Sequence, residues 1–139
     1  MEFMLTCAIL MTYHIPEAAY HKAYWNAATS SYGPSQTANI LPLFLDVPPT
    51  TATKAGAAQA LVADLIAHKN TTTSGIIGNA YLLQVLMQVA PEMALEVATR
   101  TTRPSWGDMV LSGPRTIWES WTDTTNSHNH PALSATIAR

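Results

Sequence analysis

Residues 50–89 read TTATKAGAAQALVADLIAHKNTTTSGIIGNAYLLQVLMQV, and this stretch decides the fold class. Thr50 or Thr51 can cap a helix, because a Thr hydroxyl accepts a hydrogen bond from an orphan N–H of the first turn. Ala58, Leu61, Val62, Leu65 and Ile66 then recur at helical spacing and form one apolar stripe. Asn70 to Gly78 is polar and holds two glycines, which predicts a loop. From Asn79 to Val89, Leu82, Leu83, Leu86 and Val89 again fall on one side. The unit is a helix–loop–helix hairpin.

Working outward, the pattern repeats. Pro91 suits a first helical position, and a helix is expected over roughly 91–102. Upstream, SQTANILPLFLDV (residues 35–47) is apolar on most sides after Asn39, as in a helix buried all round. Pro42 is expected to kink it or to end its regular hydrogen bonding, and Pro48-Pro49 to stop it. Pro16 opens EAAYHKAYWNAA, where Ala19 and Ala23, and Tyr20 and Tyr24, are paired at i, i+4. That helix is expected to end near the turn cluster Ser30-Ser31-Tyr32-Gly33-Pro34. Phe3 to Tyr13 is an apolar run that reads as a further buried helix. It is shorter than the ~20 residues that span a bilayer. Glu2 precedes it and no Lys or Arg appears before Lys22, unlike the basic start of a secretory leader. No period-two strand pattern persists and no sequence motif repeats. The expected class is all-α, built from helical hairpins.

The chain has 139 residues, enough for one domain, and 47% are apolar. Only 12% are charged, against about 25% in an ordinary soluble domain. Such a sequence is expected to have helix faces covered by something else, or to associate through them. Net charge is −2 and there is no basic run. Nothing suggests a nucleic-acid partner or an anionic membrane surface. Cys7 is the only cysteine, which excludes an intrachain disulfide and a thiolate zinc cluster. Asn70-Thr71-Thr72 fits the glycosylation acceptor pattern but does not fix a compartment.

After Arg103 the character changes. This segment is rich in Trp, Gly, Pro, Asp and His, and holds Trp106, Trp118 and Trp121, three of the four tryptophans. A loop-rich segment with aromatic and ionisable groups is where a site is expected. Trp118-Glu119-Ser120-Trp121 sets a carboxylate between two tryptophans. Aromatic faces stack on the C–H faces of a pyranose, and a carboxylate can move protons at a glycosidic centre. The same pattern fits a Glu that pairs or caps while the tryptophans fill core. His128 and His130 are spaced as two metal ligands are, but no further ligands adjoin, so hydrogen bonding is the plainer reading and no metal is expected. Trp106 suits a platform, whereas Asp108 suits an acid, a hydroxyl acceptor or, most simply, a turn. Thr71 to Gly75 lacks the Lys of a phosphate loop and reads as a connection between helices.

A series of segments, taken in order, resembles the catalytic domain of family 78 glycoside hydrolases, the α-L-rhamnosidases. Tyr24-Trp25-Asn26 leads to Tyr32-Gly33, and Gln36-Thr37-Ala38-Asn39 opens an inner helix. Thr73-Ser74-Gly75-Ile76-Ile77-Gly78 runs into Tyr81-Leu82-Leu83. Pro104 to Val110 and Gly113 to Trp121 follow, and Asn129-His130-Pro131 closes the series. The similarity extends over roughly residues 17–134.

The resemblance implies a partial (α/α)6 barrel of the six-hairpin glycosidase kind, in which inner and outer helices alternate, with a loop-rich, Trp-containing C-terminal segment. Residues 1–139 would form the C-terminal part of that catalytic domain. It implies an inverting exo-hydrolase that removes terminal α-L-rhamnose from a rhamnosylated glycoside or polysaccharide, without a cofactor. Glu119 maps to the general base and His130 to a substrate-holding residue, with Trp118, Trp106 and Trp121 as candidate sugar contacts. The family's general acid lies in an earlier Asp-, Arg- and Glu-rich motif, ahead of these segments, so a catalytically incomplete piece is expected. The family also carries a longer insertion before the Asn-His-Pro element than Thr122 to Ser127 here, which leaves the position of His130 beside Glu119 open. A non-catalytic sugar-binding copy and another six-hairpin glycosidase are the alternatives.

Overall fold

The computed structural model describes residues 16–113, 115–122, 127–130 and 133. The apolar run at Phe3 to Tyr13 lies outside the described residues. Six helices follow in chain order, and no strand occurs among the described residues beyond one isolated antiparallel bridge, Asn26 with Ser31.

Helix α1 spans Glu17–Tyr24 directly after Pro16. Of its expected Tyr pair, Tyr20 is buried and Tyr24 remains exposed, with ring centroids 4.6 Å apart. Helix α2 spans Gln36–Phe44 and is capped by Ser35, whose hydroxyl accepts from the Ala38 N–H at 3.2 Å. Pro42 lies inside α2, but only two residues follow it before the helix ends. This satisfies the expectation that regular hydrogen bonding stops near it. Helix α3 spans Thr51–Ala67, with Thr50 and Thr53 forming a reciprocal capping box.

Helix α4 spans Ile76–Val89 and α5 spans Pro91–Thr99. The sequence pattern placed Gly78 in the loop; instead it sits in the first turn of α4. The reason is steric. A Cβ at Gly78 would run into the Thr37 hydroxyl of α2, so the glycine marks a close helix crossing rather than a bend. Helix α5 ends before residue 102 because the chain turns extended at Arg100. Helix α6, Trp106–Leu111, occupies part of the segment expected to be loop. Ser105 caps it by accepting from the Asp108 N–H at 3.0 Å. Asp108 is therefore a helical first-turn residue, with its carboxylate held by Arg103 at 2.7 Å and by the Ser112 hydroxyl at 3.1 Å.

Two kinds of helix alternate. Helix α2 buries almost every position from Gln36 to Leu43, and α4 buries Gly78, Asn79, Leu82, Val85 and Leu86. Helix α3 buries only Ala57, Leu61 and Leu65, and α5 only Ala94 and Val97. Helices α2 and α4 pack on each other as an inner layer, while α3 covers α2 and α5 covers α4. A narrow stripe suffices for an outer helix, whereas an inner one meets protein on several sides. Beyond α6, two described stretches are joined by backbone bonds: the Glu119 N–H donates to the Ser127 carbonyl and the His130 N–H to the Ile117 carbonyl, both at 2.9 Å.

Candidate active site

The inner-helix N-termini define one end of the helical layers. There the loop Thr71–Ser74 leads into α4, beside the start of α2, and the segment after α6 crosses over it. Between them lies an open groove of about 470 Å³. Its walls are Thr37 of α2, Gly75 to Gly78 at the start of α4, Glu119-Ser120-Trp121, and Leu133. The walls are mainly apolar, and Glu119 supplies the carboxylate.

Glu119 is half-buried. Its backbone is fixed by the bond to Ser127, and its carboxylate accepts from the Ser127 N–H at 3.2 Å. Trp121 is held from two sides. Its indole N–H donates to the Ser74 carbonyl at 2.8 Å, and its ring meets the edge of Trp106 with centroids 5.3 Å apart. Trp121 thus joins the crossing segment to the loop before α4.

The other two tryptophans have a different place. Trp118 is 1% exposed and Trp106 is 3% exposed, so neither presents a ring face to solvent. Trp118 stacks on His128 at 4.4 Å, with the Arg103 guanidinium 5.4 Å from its ring centroid. Trp106 donates its indole N–H to the Leu133 carbonyl at 2.8 Å. These two expected sugar contacts lie in the hydrophobic core and do not line the groove, which leaves Trp121 as the tryptophan on its wall.

The described residues 116–119 and 127–130 lie side by side. The backbone bond from His130 to Ile117, with the Thr116 hydroxyl donating to the His128 carbonyl, brings the Asn-His element alongside the Glu119 segment. The imidazole of His130 is half-buried and is not part of the groove wall described above. No three His, Cys, Asp or Glu side chains converge as a metal site among the described residues.

Thr37 and Gly75 to Gly78 line the groove although none of them stands out in the sequence as a site residue. Their signal was the ordered words Gln-Thr-Ala-Asn and Thr-Ser-Gly-x-x-Gly, which place two inner-helix starts next to each other.

Residues 12–138 match the family model described as the bacterial α-L-rhamnosidase six-hairpin glycosidase domain. The chain belongs to that family. An α-L-rhamnosidase of Streptomyces avermitilis is 32% identical over 128 residues, covering 84% of this chain and 12% of the relative. The solved structure of a Streptomyces avermitilis α-L-rhamnosidase complexed with L-rhamnose superposes with a TM-score of 0.78 at 30% identity, over 86% of this chain and 12% of that one. The α-L-rhamnosidase from Dictyoglumus thermophilum gives 0.81 at 30% identity, over 88% and 14%. An Aspergillus terreus α-L-rhamnosidase, 23% identical, shares the fold with a TM-score of 0.78. These matches identify the alternating helices as a stretch of the six-hairpin glycosidase domain. The chain spans 12–15% of the length of these α-L-rhamnosidases.

Proposed function

We propose that the Glu119 groove is the sugar site of an α-L-rhamnoside hydrolase, acting on terminal non-reducing α-L-rhamnose with inversion. The observation that carries this reading is the joint placement of Glu119 and Trp121 on the wall of one open groove, in a chain of the α-L-rhamnosidase family. The solved relative that holds L-rhamnose supports the substrate class. Trp121 offers the aromatic surface, and Glu119 is the general base that takes a proton from the attacking water. His130, held next to the Glu119 segment by its backbone, is the proposed substrate-orienting residue. Trp118 and Trp106 act indirectly, as the packing beneath Glu119 and Trp121.

Inversion needs two carboxyl groups about 6.5–9.5 Å apart, one protonating the leaving oxygen and one activating water. The proposed acid comes from outside these 139 residues. Departure of a poor leaving group depends on that acid, whereas departure of an activated aryl group depends on it less.

The test follows from that asymmetry. These 139 residues should release rhamnose from an activated aryl α-L-rhamnoside and leave an alkyl α-L-rhamnoside essentially untouched. The first product resolved by NMR should be the β-anomer. Glu119→Gln should lower the aryl rate about 10²–10⁴-fold. A first product of α configuration, or an unchanged rate in Glu119→Gln, would overturn the assignment. Saturable rhamnose binding without turnover of either substrate would favour a non-catalytic sugar-binding role.

A further inference from the structure

The groove is assembled from segments far apart in sequence, and one buried side chain outside its wall holds the loop that anchors Trp121. Gln36, the first residue of α2, is 1% exposed. An amide buried this deeply is costly unless its donors and acceptor are used. Its Nε2 donates to the Thr71 carbonyl at 3.1 Å. Its Oε1 accepts from the Thr73 N–H at 2.8 Å and from the Ser74 hydroxyl at 3.4 Å. A single side chain thus substitutes for the regular partners that the loop before α4 lacks. The Ser74 N–H donates to the Thr72 hydroxyl at 3.0 Å, and the Ser74 carbonyl accepts from the Trp121 indole.

We infer that Gln36 is a positioning residue for the sugar groove, acting through the Thr71–Ser74 loop to fix the indole of Trp121 beside Glu119. The chain of contacts is continuous: Gln36 to Ser74, Ser74 to Trp121, and Trp121 two residues from Glu119. An amide suits the task because it offers an acceptor to two groups of the loop and a donor to a third. Met has a similar length and volume but neither function. Glu keeps the acceptor and loses the donor. The orienting role does not depend on what the groove binds, whereas its effect on sugar affinity rests on the reading proposed above.

The experiment uses the indole N–H resonance of Trp121 in the 139-residue protein, assigned by its disappearance in Trp121→Phe. The Trp25 indole serves as internal reference. In Gln36→Met, the Trp121 N–H should move toward the exposed-indole position and exchange about tenfold faster, the equilibrium equivalent of losing one well-made hydrogen bond. Gln36→Glu should restore most of the wild-type signature. A structural role without orientation would lower the melting temperature of both variants and leave the folded-state Trp121 resonance unchanged, and that result would overturn the proposal. Titration with L-rhamnose, followed by tryptophan fluorescence, should give about tenfold weaker binding in Gln36→Met. Equal affinity in wild type and Gln36→Met would also overturn it. No response in the wild type counts against the sugar-site reading instead, and the indole resonance still decides the role of Gln36.

Discussion

Trp118 and Trp121 lie three residues apart and serve opposite ends. Trp118 is enclosed, and its indole N–H has no hydrogen-bond partner among the described residues. Trp118→Ala should therefore destabilise the fold by about 3–5 kcal/mol, as for a large aromatic removed from a packed core. Trp118→Phe, which also removes an unpaired donor, should cost less. Urea titrations of the two variants make the comparison; equal and small losses would contradict the burial. Tyr32 offers a second test. Burial raises its pKa from 10.0 to about 12, while its hydroxyl lies 2.7 Å from His21 Nδ1. The folded chain holds the phenolic proton more tightly than the unfolded chain does. The stability contributed by this group is complete below pH 10 and is lost as pH rises through about 12. Denaturant midpoints of wild type and Tyr32→Phe, followed between those values, should therefore converge. A constant difference would show that the phenol does not titrate this way.

At the scale of elements, Gly78 decides how closely α2 and α4 approach. Gly78→Ala sets a methyl against the Thr37 hydroxyl and should cost about 1–3 kcal/mol, the usual effect of overpacking. Thr37→Ala removes that oxygen and should recover part of the loss in the double variant; strictly additive losses would contradict the contact. The same glycine shows what sequence could and could not reveal. Helices α3, α4 and α5 were legible because their apolar residues follow a helical period. The start of α4 was missed because a glycine at a helix crossing looks like a glycine in a loop. Helix α6 was missed because Trp, Gly and Asp suggested a turn, although Ser105 and Asp108 already had the spacing of an N-cap and a third helical residue. The direction of the three C-terminal tryptophans was not legible, because the segment has no period. Which ring is buried depends on the pairing of residues 117–119 with 127–130, a non-local contact.

For the molecule as a whole, the two broadly buried inner helices have little room for charge, in keeping with the low charged fraction. Ile66, Met87, Leu95 and Leu111 are each more than half exposed. Light scattering over a concentration series should show association, reduced by Leu95→Glu; a concentration-independent monomer would contradict this expectation. The proposed site sits where two inner-helix starts and the crossing segment meet, and its groove joins residues from 37 to 133. Its position was legible only through the order of several short motifs, while its construction through Gln36 and Ser74 emerged from the folded chain. The most direct measurement is an amide and indole NMR titration with L-rhamnose. Saturable shifts should centre on the Trp121 indole, the Glu119 and Ser120 amides and the start of α4, with the Trp25 indole unmoved. Shifts centred away from that groove, or none at saturating sugar, would contradict its assignment as the rhamnose site.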